Sequence, residues 1–152
     1  MTEAVRAHLR LPFRLSAGAT LSEFFADVRR GRIVGRACDA CATVYVPPRP
    51  FCAACWEPCS ARVEVADRGV LASFVIVNVP FYGQEVEIPY VLGSVLLDGA
   101  SVPFLHLVGR AGPDGKLRPV PAETGMRLRA VWRAERTGFV SEDVDHFEPE
   151  DG

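Results

Sequence analysis

The densest chemistry in this 152-residue chain lies between Arg36 and Cys59, in the stretch RACDACATVYVPPRPFCAACWEPC, which holds all five cysteines. Cys38 and Cys41 form one Cys-x-x-Cys pair, Cys52 and Cys55 a second, and the ten residues ATVYVPPRPF separate them. Two residues between cysteines let backbone amides turn back so that both sulfurs face one point. Two such knuckles supply four thiolates, a set that a tetrahedral zinc ion takes at about 2.3 Å. The gap is shorter than the roughly 15–20 residues of many zinc modules, yet long enough for a hairpin out and back. A single iron ion uses the same ligands, so zinc is preferred and iron stays open. A thioredoxin-like redox pair needs one Cys-x-x-Cys at a strand-to-helix junction; here two pairs sit among prolines. Glycine commonly follows the second cysteine of a knuckle, where a left-handed residue is needed. This chain has Ala42 and Trp56 there.

Four thiolates leave no coordination position for water or substrate, so the site is predicted to be structural. A hairpin pair this small buries too little apolar area to stand alone, and metal binding contributes the missing free energy. Cys59 is expected outside the ligand set, as a partly buried free thiol. His8, His106 and His146 are all distant from it in sequence. His106, in the apolar run FLHLV, reads as a core or barrel-lining residue, and His146 falls in an acidic tail. Glu85 with Glu87, and Asp143 with Asp145, alternate as solvated faces do. No acid, base and nucleophile converge, and no catalytic residue is expected.

The elements around these groups must place them. TLSEFFADVRRG reads as a short helix, with Thr20 capping it and Glu23 completing a capping box. Leu21, Phe24, Phe25 and Val28 share one face. Arg29 and Arg30 suit the helix C-terminus, and Gly31 the left-handed closing position. The Phe24–Phe25 face is expected either to pack inside the chain or to dock on a second one. From Arg62 onward come five β-rich runs: RVEVAD, GVLASFVIVNV, YVLGSVLLDG, SVPFLHLVG and MRLRAVWRAE. Asp98-Gly99-Ala100 is read as a hairpin turn. Five such runs suggest a small closed or half-closed barrel. The expected organisation is an N-terminal extension (1–19), a helix and zinc ribbon (20–60), a barrel (61–148) and a tail (149–152).

The formal charge of −2 gives no global reason to expect nucleic acid or an anionic membrane as partner. The balance is uneven: the first sixty residues carry eight arginines against five acids, the remainder nine Lys plus Arg against fourteen. A local anion contact near the cysteines therefore stays open. No run approaches the roughly 20 apolar residues of a membrane span. MTEAVRAHLRLPF is broken by charges and does not read as a secretory signal. A cytoplasmic setting is expected, where clustered cysteines bind metal or do redox chemistry more often than they form disulfides.

Together the helix, RACDACATVYVPPRPFCAACW, GVLASFVIVNVPF, IPYVLGSVLLDG and the closing DHFEP resemble a family of small proteins. That family joins a rubredoxin-like zinc ribbon to an OB-fold barrel and was long known as a domain of unknown function. The resemblance runs from about Leu21 to Pro149. Its most specific parts are the two knuckles with PPRP between them and the Pro89-Tyr90 pair. It implies a mainly β chain: an N-terminal helix, the zinc ribbon, then a five-stranded OB-fold barrel. It also implies an accessory role beside thiolase-superfamily enzymes, namely acetoacetyl-CoA and β-ketoacyl-CoA thiolases and thiolase-like aldolases of steroid side-chain degradation. Such a subunit supports its partner and helps hold the CoA thioester; some members work beside MaoC-like hydratases. On that reading Arg32, Arg36 and Arg49 would face CoA phosphates, and Phe81, Tyr82 and Tyr90 its pantetheine and acyl parts. Phe24 and Phe25 would meet the partner. The rival readings are a free-standing acyl-CoA binder and an OB-fold binder of single-stranded nucleic acid. Against the latter, the barrel half is net acidic, and arginine interleaves with an aromatic only in RLRAVWR.

Overall fold

A helix, a three-stranded ribbon sheet and a closed five-stranded barrel make up the computed structural model of the chain, which describes residues 16–84 and 86–150. His8 and Glu85 lie outside the described residues. Helix α1 (Gly18–Arg29) forms where apolar residues recur at helical spacing, and it buries Phe24, Asp27 and Val28. Its start corrects the capping-box expectation. Thr20 lies inside the first turn, and Ala17 stands at the cap with no side-chain bond. Glu23 does not reach back along the helix. Its carboxylate accepts Arg36 at 2.9 Å and Arg62 at 3.1 Å, two cations from the sheet on which α1 rests. The helix closes as read: Gly31, at φ 74°, donates its amide to the Val28 carbonyl at 2.8 Å.

The ribbon sheet holds β1 (Ile33–Ala37), β2 (Val44–Tyr45) and β3 (Ala61–Val65) in the order β2-β1-β3. RVEV was expected to open the barrel; instead β3 pairs antiparallel with β1 from Ile33 opposite Val65 to Ala37 opposite Ala61. Period-two alternation gives a strand its faces and leaves its neighbour open. Past β3 come β4 (Arg68–Val77), β5 (Tyr90–Leu97), β6 (Phe104–Val108), the small hairpin β7 (Arg110–Ala111) and β8 (Leu117–Arg118), and β9 (Arg127–Trp132). One helical turn, α2 (Val140–Asp143), leads into β10 (Val144–Pro149).

The barrel closes in the order β10-β6-β5-β4-β9, so its fifth strand is β10, which contains the DHFEP read as a closing piece. Closure comes from one parallel pairing, Phe147 opposite Val108, while the other neighbours are antiparallel. This is an OB-fold barrel. The turn read at Asp98–Ala100 is present: the Ala100 amide meets the Leu97 carbonyl at 2.9 Å. Arg127 of β9 grips Asp98 through both terminal nitrogens, at 2.8 and 2.6 Å, and holds its carboxyl below the usual range.

One apolar core joins all three parts. Phe24 and Val28 of α1 meet Ile33 and Val65 of the ribbon and Leu71, Val95 and Phe147 of the barrel. Each such side chain contributes about 1.5–3 kcal/mol by leaving water. Phe24 is 1% exposed, so this core consumes it and it offers no surface to a partner. Phe25 is half-buried against Phe139, ring centroids 6.1 Å apart. Gly93 sits where a Cβ would come within 2.5 Å of Val108 and 2.7 Å of Leu71, so the barrel interior has no room for a side chain there.

Asp27 ties the helix to the sheet. It is 2% exposed, and its carboxylate accepts Arg32 at 2.7 Å and Arg62 at 2.5 Å. Asp27→Asn keeps the shape and removes the charge from both bonds. The expected loss is about 2 kcal/mol of unfolding free energy, measured by the urea midpoint. An unchanged midpoint would show that the clamp contributes nothing.

Candidate metal centre

β1 ends at Ala37 and hands the chain to Cys38; the first knuckle turns and leaves along β2. The second knuckle, Cys52 to Cys55, lies within a loop bridged by Phe51 and Pro58. In each, the amide after the second cysteine returns to the carbonyl of the first: Ala42 to Cys38 at 3.0 Å, Trp56 to Cys52 at 3.1 Å. Ala42 and Trp56 adopt φ 58° and 64°. Non-glycine residues there cost about 1–2 kcal/mol each.

The four sulfurs of Cys38, Cys41, Cys52 and Cys55 lie within 4.8 Å of one another. Cys38 and Cys55 are 3.4 Å apart, Cys41 and Cys52 3.6 Å, and Cys41 and Cys55 3.9 Å. Sulfurs placed tetrahedrally about 2.3 Å from one ion stand about 3.8 Å from each other. The four cysteines are thus positioned to bind a metal ion; zinc and iron both fit the set.

Neighbouring hydroxyls prepare the thiols. The Tyr45 hydroxyl accepts the Ala53 amide at 3.1 Å and donates to the Cys52 sulfur at 3.2 Å, drawing that thiol down to about 6. Thr43 does the same for Cys41 at 3.1 Å, lowering its pKa. At Cys55 the Glu57 amide lowers the pKa, but the Cys38 and Cys52 sulfurs outweigh it and push the thiol up to about 12. The first thiolate forms readily and the later ones are resisted, which is the imbalance a divalent cation relieves. Cysteine spacing alone points to neither Thr43 nor Tyr45. Their signal was a hydroxyl placed two and four residues after Cys41, inside the connecting hairpin. Cys59 packs beside Cys38, Tyr45 and Cys52 but is not one of the four clustered sulfurs; burial raises its thiol.

The other candidate residues are dispersed. Arg32 pairs with Asp27 and Glu64, and Arg36 with Glu23, so both take part in the helix–ribbon clamp, and the Arg32 side chain remains 44% exposed. Arg49 is exposed and stands over the Tyr45 ring at 5.0 Å. Phe81 and Tyr82 are 59% and 76% exposed on the loop after β4, whereas Tyr90 is buried in β5 and has little surface for a ligand.

Two acidic readings are corrected. Asp143 is buried, and its carboxylate accepts the amides of Thr137 at 2.7 Å and Gly138 at 2.6 Å, fixing the turn before α2. Asp145 is half-buried and bonds Arg133 and His146. His146 is not in a solvated tail; it is 1% exposed in β10, with Nε2 unpartnered. His106 lines the core as read, between the rings of Phe104 and Phe147, and neither ring nitrogen has a partner.

Known proteins match this architecture. Family profiles described as "ChsH2, rubredoxin-like zinc ribbon domain" and "ChsH2, C-terminal OB-fold domain" match residues 25–58 and 62–133. The chain thus matches both a ChsH2-type zinc ribbon and a ChsH2-type OB-fold domain, in that order. A "Probable enoyl-CoA hydratase alpha subunit" of Thermomonospora curvata is 30% identical over 109 residues, which are 72% of this chain and 32% of that protein. The chain therefore spans about a third of that relative's length. A "DUF35 domain-containing scaffold protein" of Methanocaldococcus jannaschii is 26% identical over 103 residues, 66% of this chain and 67% of that protein. Among solved structures, the "Ltp2-ChsH2(DUF35) aldolase" superposes with a TM-score of 0.58 at 24% identity, covering 84% of this chain and 92% of that one. A DUF35 protein of unknown function from Sulfolobus solfataricus gives 0.57 at 17%, covering 75% and 78%. At these identities the superpositions establish a shared fold. No helix among the described residues is long and apolar enough to cross a membrane.

Ala42→Gly removes one strained left-handed residue without touching a ligand. The metal-loaded protein should gain about 1 kcal/mol, read by chemical denaturation; no gain would show that the turn carries no strain. His106 gives a pH dependence. Burial lowers its pKa from the ordinary 6.5 to about 4. Between those values the unfolded chain binds the extra proton and the folded chain does not, so acidification favours unfolding. The contribution is full above 6.5 and lost as pH falls to about 4, amounting to roughly 3 kcal/mol. His106→Phe should flatten the stability profile over that window, and an unchanged slope would assign it to other groups.

Proposed function

We propose that this chain is the non-catalytic subunit of an acyl-CoA enzyme, with its four cysteines holding a structural zinc ion. The closed four-sulfur set carries the reading. Every tetrahedral position at the ion would be a thiolate, leaving none for water or substrate. When bound, the ion cross-links the two knuckles; the chain's own residues then act by position. The names of the relatives, an alpha subunit, a scaffold protein and an aldolase assembled with ChsH2, support membership of a hetero-oligomer. The enclosure of His106 and His146 supports a role outside the chemical step.

The proposed partner is a cytoplasmic thiolase-superfamily enzyme. It would cleave a carbon–carbon bond of a β-ketoacyl- or β-hydroxyacyl-CoA by thiolysis or retro-aldol reaction, of the steroid side-chain or β-oxidation type. This chain would stabilise the partner and help hold the CoA thioester, with the exposed Arg49, Phe81 and Tyr82 facing it. The Thermomonospora curvata relative favours a second reading, in which the partner is a MaoC-like hydratase.

Co-expression with the thiolase-like enzyme of a neighbouring gene provides the test. The two chains should co-purify, and the enzyme should gain solubility and activity. Cys38→Ala should lose both ion and partner. An enzyme soluble and fully active alone would sink the reading, as would a Cys38→Ala protein that keeps metal and partner. Co-purification with a hydratase alone would select the second reading.

A further inference from the structure

Beside the barrel lies a cleft of about 250 Å³, walled by the Val86–Glu87 loop, β6, the β7–β8 hairpin, Arg133 and the start of β10. Val86, Leu107 and Leu117 supply its apolar surface, and Glu87, Lys116, Arg133 and Asp145 its polar rim. The ionisable groups form two neutral pairs: Lys116 with Glu87, and Arg133 Nε with Asp145 Oδ1 at 2.8 Å. The second oxygen of Asp145 accepts His146 Nδ1 at 2.9 Å, and His146 is 1% exposed. Asp145 is thereby fixed from behind the wall, and it fixes Arg133 in turn. Lys116 is the single lysine of the chain.

This lining selects by chemistry. A bare anion or cation would have to displace a partner already seated at each charge, and the walls sum to zero. Hydrogen-bonding capacity remains, however. The terminal nitrogens of Arg133 donate to no described residue, and Lys116 keeps donors beyond the one on Glu87. The carboxylates keep acceptor positions. A neutral chain that alternates amide N–H and C=O groups with short apolar links matches such a rim and floor. Whole-ligand pockets run to roughly 300–1,000 Å³, so this cleft suits a segment of a larger molecule.

We propose that the cleft between the Val86–Glu87 loop and the β7–β8 hairpin is a subsite for a neutral, amide-bearing arm of the pantetheine kind. The inference rests on the acyl-CoA reading above and gives that reading a place on the barrel. The arm lies along Leu107 and Leu117, with its amides against Lys116, Glu87, Arg133 and Asp145. These are positioning residues, and the reacting thioester belongs to the partner enzyme.

S-methyl pantetheine is the probe, since its capped sulfur cannot compete for the ribbon's metal. It is titrated into the full metal-loaded chain and followed by heteronuclear NMR. Saturable shifts are expected at Leu107, Lys116, Leu117 and His146, and none at Cys38 to Cys55. Lys116→Ala and Arg133→Ala, each retaining the folded spectrum, should weaken binding about fivefold or more. Absence of saturable shifts up to about 20 mM, wild-type binding by both variants, or equal shifts with inorganic phosphate would each overturn the proposal. Co-purification of Lys116→Ala with the partner enzyme separates the two readings. A complex that forms while wild-type chain ignores the probe removes the subsite alone. Probe binding without any complex removes the proposed function alone.

Discussion

Four thiols brought within 4.8 Å of each other cannot all ionise without a cation between them. That constraint organises the ribbon. Cys52 is drawn toward ionisation by Tyr45 while Cys55 is driven away from it by its neighbours, so the cluster is arranged unevenly in advance of any metal. The knuckles accept left-handed Ala42 and Trp56 to make the sulfurs converge. The rest of the fold keeps the ribbon in place: β3 leaves the second knuckle and pairs along β1, and α1 fastens onto both strands through Glu23 and Asp27. A local backbone cost is carried by interactions distributed over the surrounding elements.

The shared core decides how the two halves relate. Phe24, Ile33 and Phe147 belong to one apolar cluster although they come from helix, ribbon and barrel. Ribbon and barrel are therefore not beads on a linker. Ser101, just past the β5–β6 turn, adds a polar tie by donating its amide to Val44 and accepting the Val44 amide on its hydroxyl, at 2.9 and 3.0 Å. A surface presented by the ribbon is held in fixed relation to the barrel cleft some strands away.

Much of this was legible in the residues because it is local. Cys-x-x-Cys spacing encodes convergence of sulfurs, and Gly31 encodes the end of a helix. What was not legible depends on partners distant in sequence. Glu23 looked like a capping residue until Arg36 and Arg62 were beside it. RVEV carried a strand's alternation, but nothing in it chose the ribbon over the barrel. Asp143 and His146 looked solvated because their neighbours are acidic, yet a turn's amides and a core position account for them. Arg32 and Arg36 had the charge for a phosphate, and the sequence did not show that Asp27 and Glu23 pair with them.

The parallel contact of β10 with β6 has a consequence for how the chain is made. All metal ligands, and both strands that frame them, lie before residue 66. A nascent chain presents all four cysteines before the first barrel strand, β4, is made. The barrel cannot close until Phe147 arrives opposite Val108, since β10 is the last described strand in sequence. In that interval β6 and β9 wait with open edges, the kind of strand border that recruits other polypeptides. The order of synthesis thus presents the cysteine ribbon first, with the apolar face of Phe24, Ile33 and Val65 uncovered until the barrel that shares their core is closed by β10.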